Sequence, residues 1–293
     1  MTHREFTVPV AGGELAIGEW GAGDAAPIVV GIHGITANHL TWAYVAEELE
    51  DEVRFLAPDL RGRAGSAGVR GPYGMAAHAA DIRALLDHLG VERATLAGHS
   101  MGAYVTAVFA AHYPERLAGH VLVDGGVTLD IPIDDNLDVE AITHAILGPT
   151  MERLSMEFVD ENAWLAYWKA HPALTEWNDA IEAYVLRDLV GEPPALRSSV
   201  SREAVLEDSR DNLLGDGARA FRNLPAPTPW LRAPRGLANQ TPGLYSDEVA
   251  AEMCAQVPNL VDQVVPDVNH FTITMSRAGA TAVAAVIRTQ LPR

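Results

Sequence analysis

Apolar and polar residues alternate along this chain with two different periods. Near the start, 6–10 and 14–20 read as a hairpin turning at Gly12-Gly13, and 27–32 is an almost uninterrupted run of β-branched residues, as a strand buried on both faces requires. Residues 54–57, 94–97 and 121–123 are further short strands. Between them the period lengthens to that of a helix over 41–49, 75–89 and 101–113. In 75–89, Ala79, Ile82, Leu85, Leu86 and Leu89 fall on one face, and 101–113 stops before Pro114. Strands alternating with helices predict a parallel sheet with crossover helices, an α/β fold. After Asp124 the pattern changes. From about 128 to 225 no buried strand stands out, and helices are predicted over 139–147, 151–169, 180–189 and 202–214, punctuated by prolines at 132, 149, 172 and 193–194. Strands return at 229–232 and 260–265, with a helix at 247–256 between them and a last helix at 278–291. The chain is therefore read as a core of 1–127 and 226–293 interrupted by a helical insertion of 128–225.

Composition narrows the functional classes. The 293 residues carry 21 Lys and Arg against 39 Asp and Glu, a net charge of −18, which argues against nucleic acid or an anionic membrane surface as partner. No stretch reaches the roughly 18 uncharged apolar residues of a membrane span, and no signal peptide is visible, so a soluble cytoplasmic protein is expected. A lone cysteine, Cys254, excludes an internal disulfide and a thiolate metal cluster. No His-X-His or His-Glu-X-X-His occurs and no Gly-X-Gly-X-X-Gly follows the first strand, so the expected chemistry uses no metal and no cofactor.

Gly98-His99-Ser100-Met101-Gly102 is the strongest chemical signal. It follows a predicted strand and opens a predicted helix, the context in which Gly-X-Ser-X-Gly marks a nucleophile. The turn must be tight enough that side chains two residues either side of Ser100 would clash, and it sets the hydroxyl at a helix N-terminus beside free backbone N–H groups. His33-Gly34 lies directly after the strand ending at Ile32. The amide of Ile35 there and that of Met101 are candidates for the two halves of an oxyanion hole, whereas His33 itself is read as structural. A base must take the Ser100 proton. Among eleven histidines, His270 alone follows the last strand, while His88, His112 and His120 are read as structural residues on core faces.

Taken in order, His33-Gly34, then Asp59-Leu60-Arg61-Gly62, then the serine turn, then Asn269-His270 resemble the α/β-hydrolase fold family over the whole chain apart from the insertion, which sits where that family places its helical cap. The resemblance implies a mostly parallel eight-stranded sheet flanked by helices and serine-hydrolase activity. Asp59 and Arg61 are then structural, and Ala64 replaces a usual glycine. The family commonly takes its acid from the loop after its seventh strand, but residues 233–246 here hold no carboxylate. Some members take it from the end of the sixth, where Asp124 stands before Gly125-Gly126; Asp247 is the other candidate. The serine excludes the aspartate-nucleophile members. The insertion's Trp164, Tyr167 and Trp168, with Trp177 and Tyr184 nearby, either line an apolar substrate pocket or form the insertion's own core. Candidate reactions are hydrolysis of an ester, lactone or thioester, hydrolysis of a carbon–carbon bond in a diketone, or ligand binding without turnover. The candidate partners are a small-molecule acyl substrate and a second copy of the chain.

Overall fold

The computed structural model describes residues 3–23, 25–128, 138–225 and 227–292. Strands β1 (Arg4–Val10) and β2 (Gly13–Gly21) form the predicted hairpin. They are followed by β3 (Ile28–Ile32), helix α1 (Ala43–Glu48), β4 (Arg54–Pro58), α2 (Met75–His88), β5 (Ala94–His99), α3 (Met101–His112) and β6 (Leu117–Val123). Helices α4 (Val139–Leu147), α5 (Pro149–Arg153), α6 (Glu161–Lys169) and α7 (Asp179–Arg187) come next. The two-residue strands β7 (Leu189–Val190) and β8 (Arg197–Ser198) then lead to α8 (Arg202–Leu214) and α9 (Gly217–Ala220). The chain closes with β9 (Thr228–Arg232), α10 (Asp247–Gln256), β10 (Leu260–Val264), α11 (Thr272–Met275) and α12 (Arg277–Thr289).

Eight strands form one sheet in the order β1-β2-β4-β3-β5-β6-β9-β10. The β1–β2 and β2–β4 pairings are antiparallel and every later pairing is parallel. Every residue of β3 and β5 is buried, as expected of central strands covered on both faces. The pleat divides them: Val30, Ile32, Leu96 and Leu122 pack towards α2 and α3, while Val29, Ala97, Val121 and Val123 pack towards α1 and α12. Each such fully buried aliphatic side chain contributes about 1.5–3 kcal/mol. Helix α3 is buried all round and so lies inside the protein.

The residues between β6 and β9 build a core of their own from Phe158, Trp164, Trp168, Ile181, Val185 and Leu196. Side-chain caps from Asp138, Asp160, Asn178 and Ser201 start α4, α6, α7 and α8. Three expectations need correction here. The helix predicted over 151–169 is two helices, because Asp160 caps α6 and Phe158 pairs in extended form with Leu196. The insertion also holds the β7–β8 ladder, whose two-residue strands are too short to show a period. His88 and His112 are exposed on their helices; only His120 is buried, with its imidazole 2.8 Å from Thr228 Oγ1. Pro132 and the first residues of the predicted insertion fall at 129–137, outside the described residues.

Buried ion pairs join this region to the sheet. Arg63, from the loop after β4, donates to Asp208 of α8 at 2.6 Å, and Asp208 also accepts from His78 and from the Gly74 amide. Burial opposes ionisation of Asp208, yet His78 and Arg63 together hold its carboxyl below the ordinary carboxylate range. A depressed carboxylate contributes stability above its unfolded pKa of about 3.9, and that stability is lost progressively as pH falls below it. Asp208→Asn leaves the Arg63 cation without its carboxylate and is expected to cost about 3 kcal/mol or more at pH 7. The difference between variant and parent should shrink as the pH is lowered below 4, read from urea unfolding midpoints across that range.

Candidate active site

Ser100 occupies the turn between β5 and α3 with φ 55° and ψ −122°, a left-handed conformation that is strained for a residue with a side chain. Its N–H donates to Val123 O at 2.9 Å. The surrounding glycines are required by contact distances. A Cβ on Gly98 would lie 2.1 Å from Gly102 O, one on Gly102 2.0 Å from Ile32 O, and one on Gly125 2.2 Å from Ser100 O.

Asp124 directly follows β6, fully buried and also with positive φ, 45°. Its N–H donates to Leu231 O of β9 at 2.7 Å, and Oδ1 accepts the Ala233 N–H at 3.0 Å. Oδ2 lies 2.7 Å from His270 Nδ1. With Nδ1–H donated there, the lone pair of His270 falls on Nε2, the other ring nitrogen. The His270 N–H donates to Arg235 O, and Asn269 Oδ1 accepts the Phe271 and Thr272 amides, fixing the entry to α11. Asp247 lies elsewhere: it opens α10, its side chain is 89% exposed, and its partner is Arg232 at 3.1 Å.

The loop after β3 is braced on two carbonyls. His33 Nδ1–H donates to Gly34 O at 2.7 Å, and His33 Nε2 accepts the Leu60 N–H at 2.9 Å. Burial holds this imidazole neutral, with its pKa lowered to about 3, as acceptance of the Leu60 proton demands. Arg63 Nε donates to Ile35 O at 3.0 Å. With Gly34 O pinned, the trans peptide turns the Ile35 N–H the opposite way. Among the described residues neither that amide nor the Met101 amide has a hydrogen-bond acceptor. A Cβ on Gly34 would stand 3.4 Å from Ser100 Oγ, which shows how closely this loop approaches the serine.

Ser100, Asp124, His270, Ile35 and Met101 all border one cavity of about 120 Å³. Its far side is mostly apolar, with Ile146, Leu147, Tyr184 and Leu213 from the inserted helices and Leu237 and Leu244 from the loop after β9. Trp164, Trp168 and Tyr167 are not part of this lining, contrary to the expectation that they face substrate. Trp164 and Trp168 are packed in the insertion's own core, stacked on the Arg153 guanidinium, and Trp164 Nε1–H donates to Val185 O at 2.9 Å. Tyr167 borders a neighbouring hollow beside His171. Such broad rings are what a small helical unit needs to fill its interior. Of the insertion's aromatics, Tyr184 does reach the cavity.

Two further contributors were not singled out in the sequence. The His99 ring lies 4.7 Å from that of His270, and its Nε2 is 2.8 Å from His270 O; burial pushes its pKa well below the ordinary value, so it is a neutral donor. Tyr104 and Tyr245 both donate to Val127 O. His99 could have been suspected from its place inside the serine motif, whereas nothing local marks the tyrosine pair.

Residues 27–147 match the family model described as alpha/beta hydrolase fold. Over 98% of both chains the structure superposes on that of E-2-(acetamidomethylene)succinate hydrolase, with a TM-score of 0.75 and 24% identity. The chain has the α/β-hydrolase fold. Lipase LipV of Mycobacterium tuberculosis is 28% identical over 90% of this chain and 92% of its own. An uncharacterized protein of the same organism is 41% identical over 108 residues, 36% of this chain, and the match spans only about a third (32%) of that relative's length.

One of the close contacts around the serine turn yields a test. Gly125→Ala should force β6 and the Ser100 turn apart and destabilise the protein by about 2 kcal/mol or more, seen as a lowered thermal midpoint. Gly68→Ala, where no atom lies within 4 Å of the added Cβ, should change it little.

Proposed function

We propose that this protein is a serine hydrolase that cleaves a carboxylic ester, lactone or thioester of small to medium, largely apolar substrates through an acyl-enzyme. The observation that carries the reading is the 2.7 Å contact of Asp124 with His270 on the wall of the same cavity as Ser100. His270 Nε2 takes the Ser100 Oγ proton as the oxygen attacks the acyl carbon. The Ile35 and Met101 amides hold the resulting oxyanion, and the imidazolium then protonates the leaving group. Water enters by the reverse sequence and releases the acid. Asp124 stays ionised, sets the imidazole tautomer and stabilises the imidazolium. All these groups come from the chain itself, so the step needs no cofactor.

The inserted residues, 128–225, act in this reading as a cap over a core of 1–127 and 226–293. The apolar cap side chains favour an apolar acyl or alcohol portion, and the acidic surface disfavours anionic substrates. The lipase relative supports the ester class.

Ser100→Ala should keep the circular dichroism spectrum and thermal midpoint and lose essentially all turnover of a short p-nitrophenyl ester; retained turnover refutes the assignment. Asp124→Asn should lower kcat by roughly 10³–10⁴-fold. Asp247→Asn, on the exposed α10, should stay near the parent rate. A reversal of those two results would place the acid after β9 instead.

A further inference from the structure

Away from the serine, two histidines and a glutamate converge where the first strand meets the loop that follows β3. The side-chain donor atoms of His3, Glu5 and His39 all lie within 4.8 Å of one another, the single such group of three or more among the described residues. His39 is fully buried. Its Nδ1 and its own backbone N–H both lie 2.9 Å from Asp59 Oδ1. Nδ1–H is therefore donated to a carboxylate and the lone pair is on Nε2. That atom is buried with no hydrogen-bond partner, and Glu5 Oε1 stands 3.8 Å from it. A carboxylate, an imidazole and a free Nε2 in line form the arrangement that orients histidine ligands on metals.

The ring is also held rigidly. A Cβ on Gly18 would come within 2.4 Å of His39 Cδ2, so β2 keeps a glycine where the imidazole lies against it. His3 stacks on Trp20 with ring centroids 4.5 Å apart, which brings it beside His39 at 5.5 Å. Both Glu5 oxygens accept from Arg187 of α7, Oε1 from Nη1 at 3.0 Å and Oε2 from Nη2 at 2.9 Å, and the same guanidinium also binds Asp59. With neutral imidazoles, the charges of Glu5, Asp59 and Arg187 sum to −1, which suits a cation.

We propose that His3, Glu5 and His39 form a binding site for a divalent transition cation of the zinc class, distinct from the serine centre. Two imidazole nitrogens and one carboxylate oxygen match zinc's donor preference, with water completing a tetrahedron. Bonds of about 2.0–2.1 Å require the donors to close to roughly 3.3 Å of one another. The movement falls on His3 and Glu5, which are exposed at the edge strand, while His39 stays fixed. The ion would tie β1 to the loop after β3 and, through Asp59 and Arg187, to the inserted helix α7, so its effect is on stability rather than on bond cleavage.

The test uses the untagged full chain carrying Cys254→Ser, which removes the one thiol. Equilibrium dialysis against zinc should show one ion per chain. Cobalt in its place should give the visible absorption of a tetrahedral site, and zinc should raise the thermal midpoint. His39 is packed in the interior, so the variants are taken at the exposed ligands. His3→Ala and Glu5→Gln should each weaken binding by at least about tenfold and abolish the zinc-induced rise while keeping the metal-free midpoint. No bound zinc, or binding that His3→Ala leaves unchanged, overturns the proposal.

Discussion

The approach of three backbones at the carboxyl ends of β3, β5 and β6 is the constraint on which the rest of the site depends. Ser100 can stand in a left-handed turn only because Gly98, Gly102 and Gly125 let neighbouring carbonyls come where a methyl group would collide. That strain costs on the order of 1–3 kcal/mol and is offset by the packing of α3, nearly all of it buried, against the sheet. The same closeness brings the loop of Gly34 against the serine and starts Asp124, the residue after β6, on its way to His270.

Polar groups buried around this junction are arranged in closed sets. His33 is kept neutral by burial and spends both ring nitrogens on backbone groups. Arg61 is bidentate on Asp81, which ties the loop after β4 to α2. Asp59 and Asp208 each bind one arginine across the boundary between sheet and inserted helices, Arg187 from α7 and Arg63 from the core loop. The inserted helices are thereby registered over the cavity by ionic contacts from two sides, while their aromatic interior holds them together. A unit fixed by a few buried charges at its rim and by its own core inside can keep a cavity beneath it. A fully apolar seam would instead tend to close over that space.

Local pattern carried much of this protein. The unbroken apolar run of 27–32 and the helical faces of 75–89 and 101–113 mark elements whose burial is decided within the element, and the fold with its eight-stranded sheet was legible from the serine turn and the motifs in order. Gly-X-Ser-X-Gly is readable because the steric demand of the turn falls on residues two apart. What required the folded chain were relations between distant segments. Whether His270 meets Asp124 or Asp247 depends on β6 lying parallel beside β9, which brings residues 146 apart to 2.7 Å. Whether Trp164 and Trp168 face a ligand or one another depends on how α6 rotates against α7, and apolar side chains carry no local mark of which apolar surface they will cover. The same holds for His3, Glu5 and His39: each is unremarkable in its own stretch, and only the pairing of β1 with β2 and the turn after β3 set their donor atoms together. Sequence by itself determined the elements and the serine turn, because those obey short-range sterics. Tertiary structure decided the partners, because contact between remote residues is set by strand order and packing rather than by spacing along the chain.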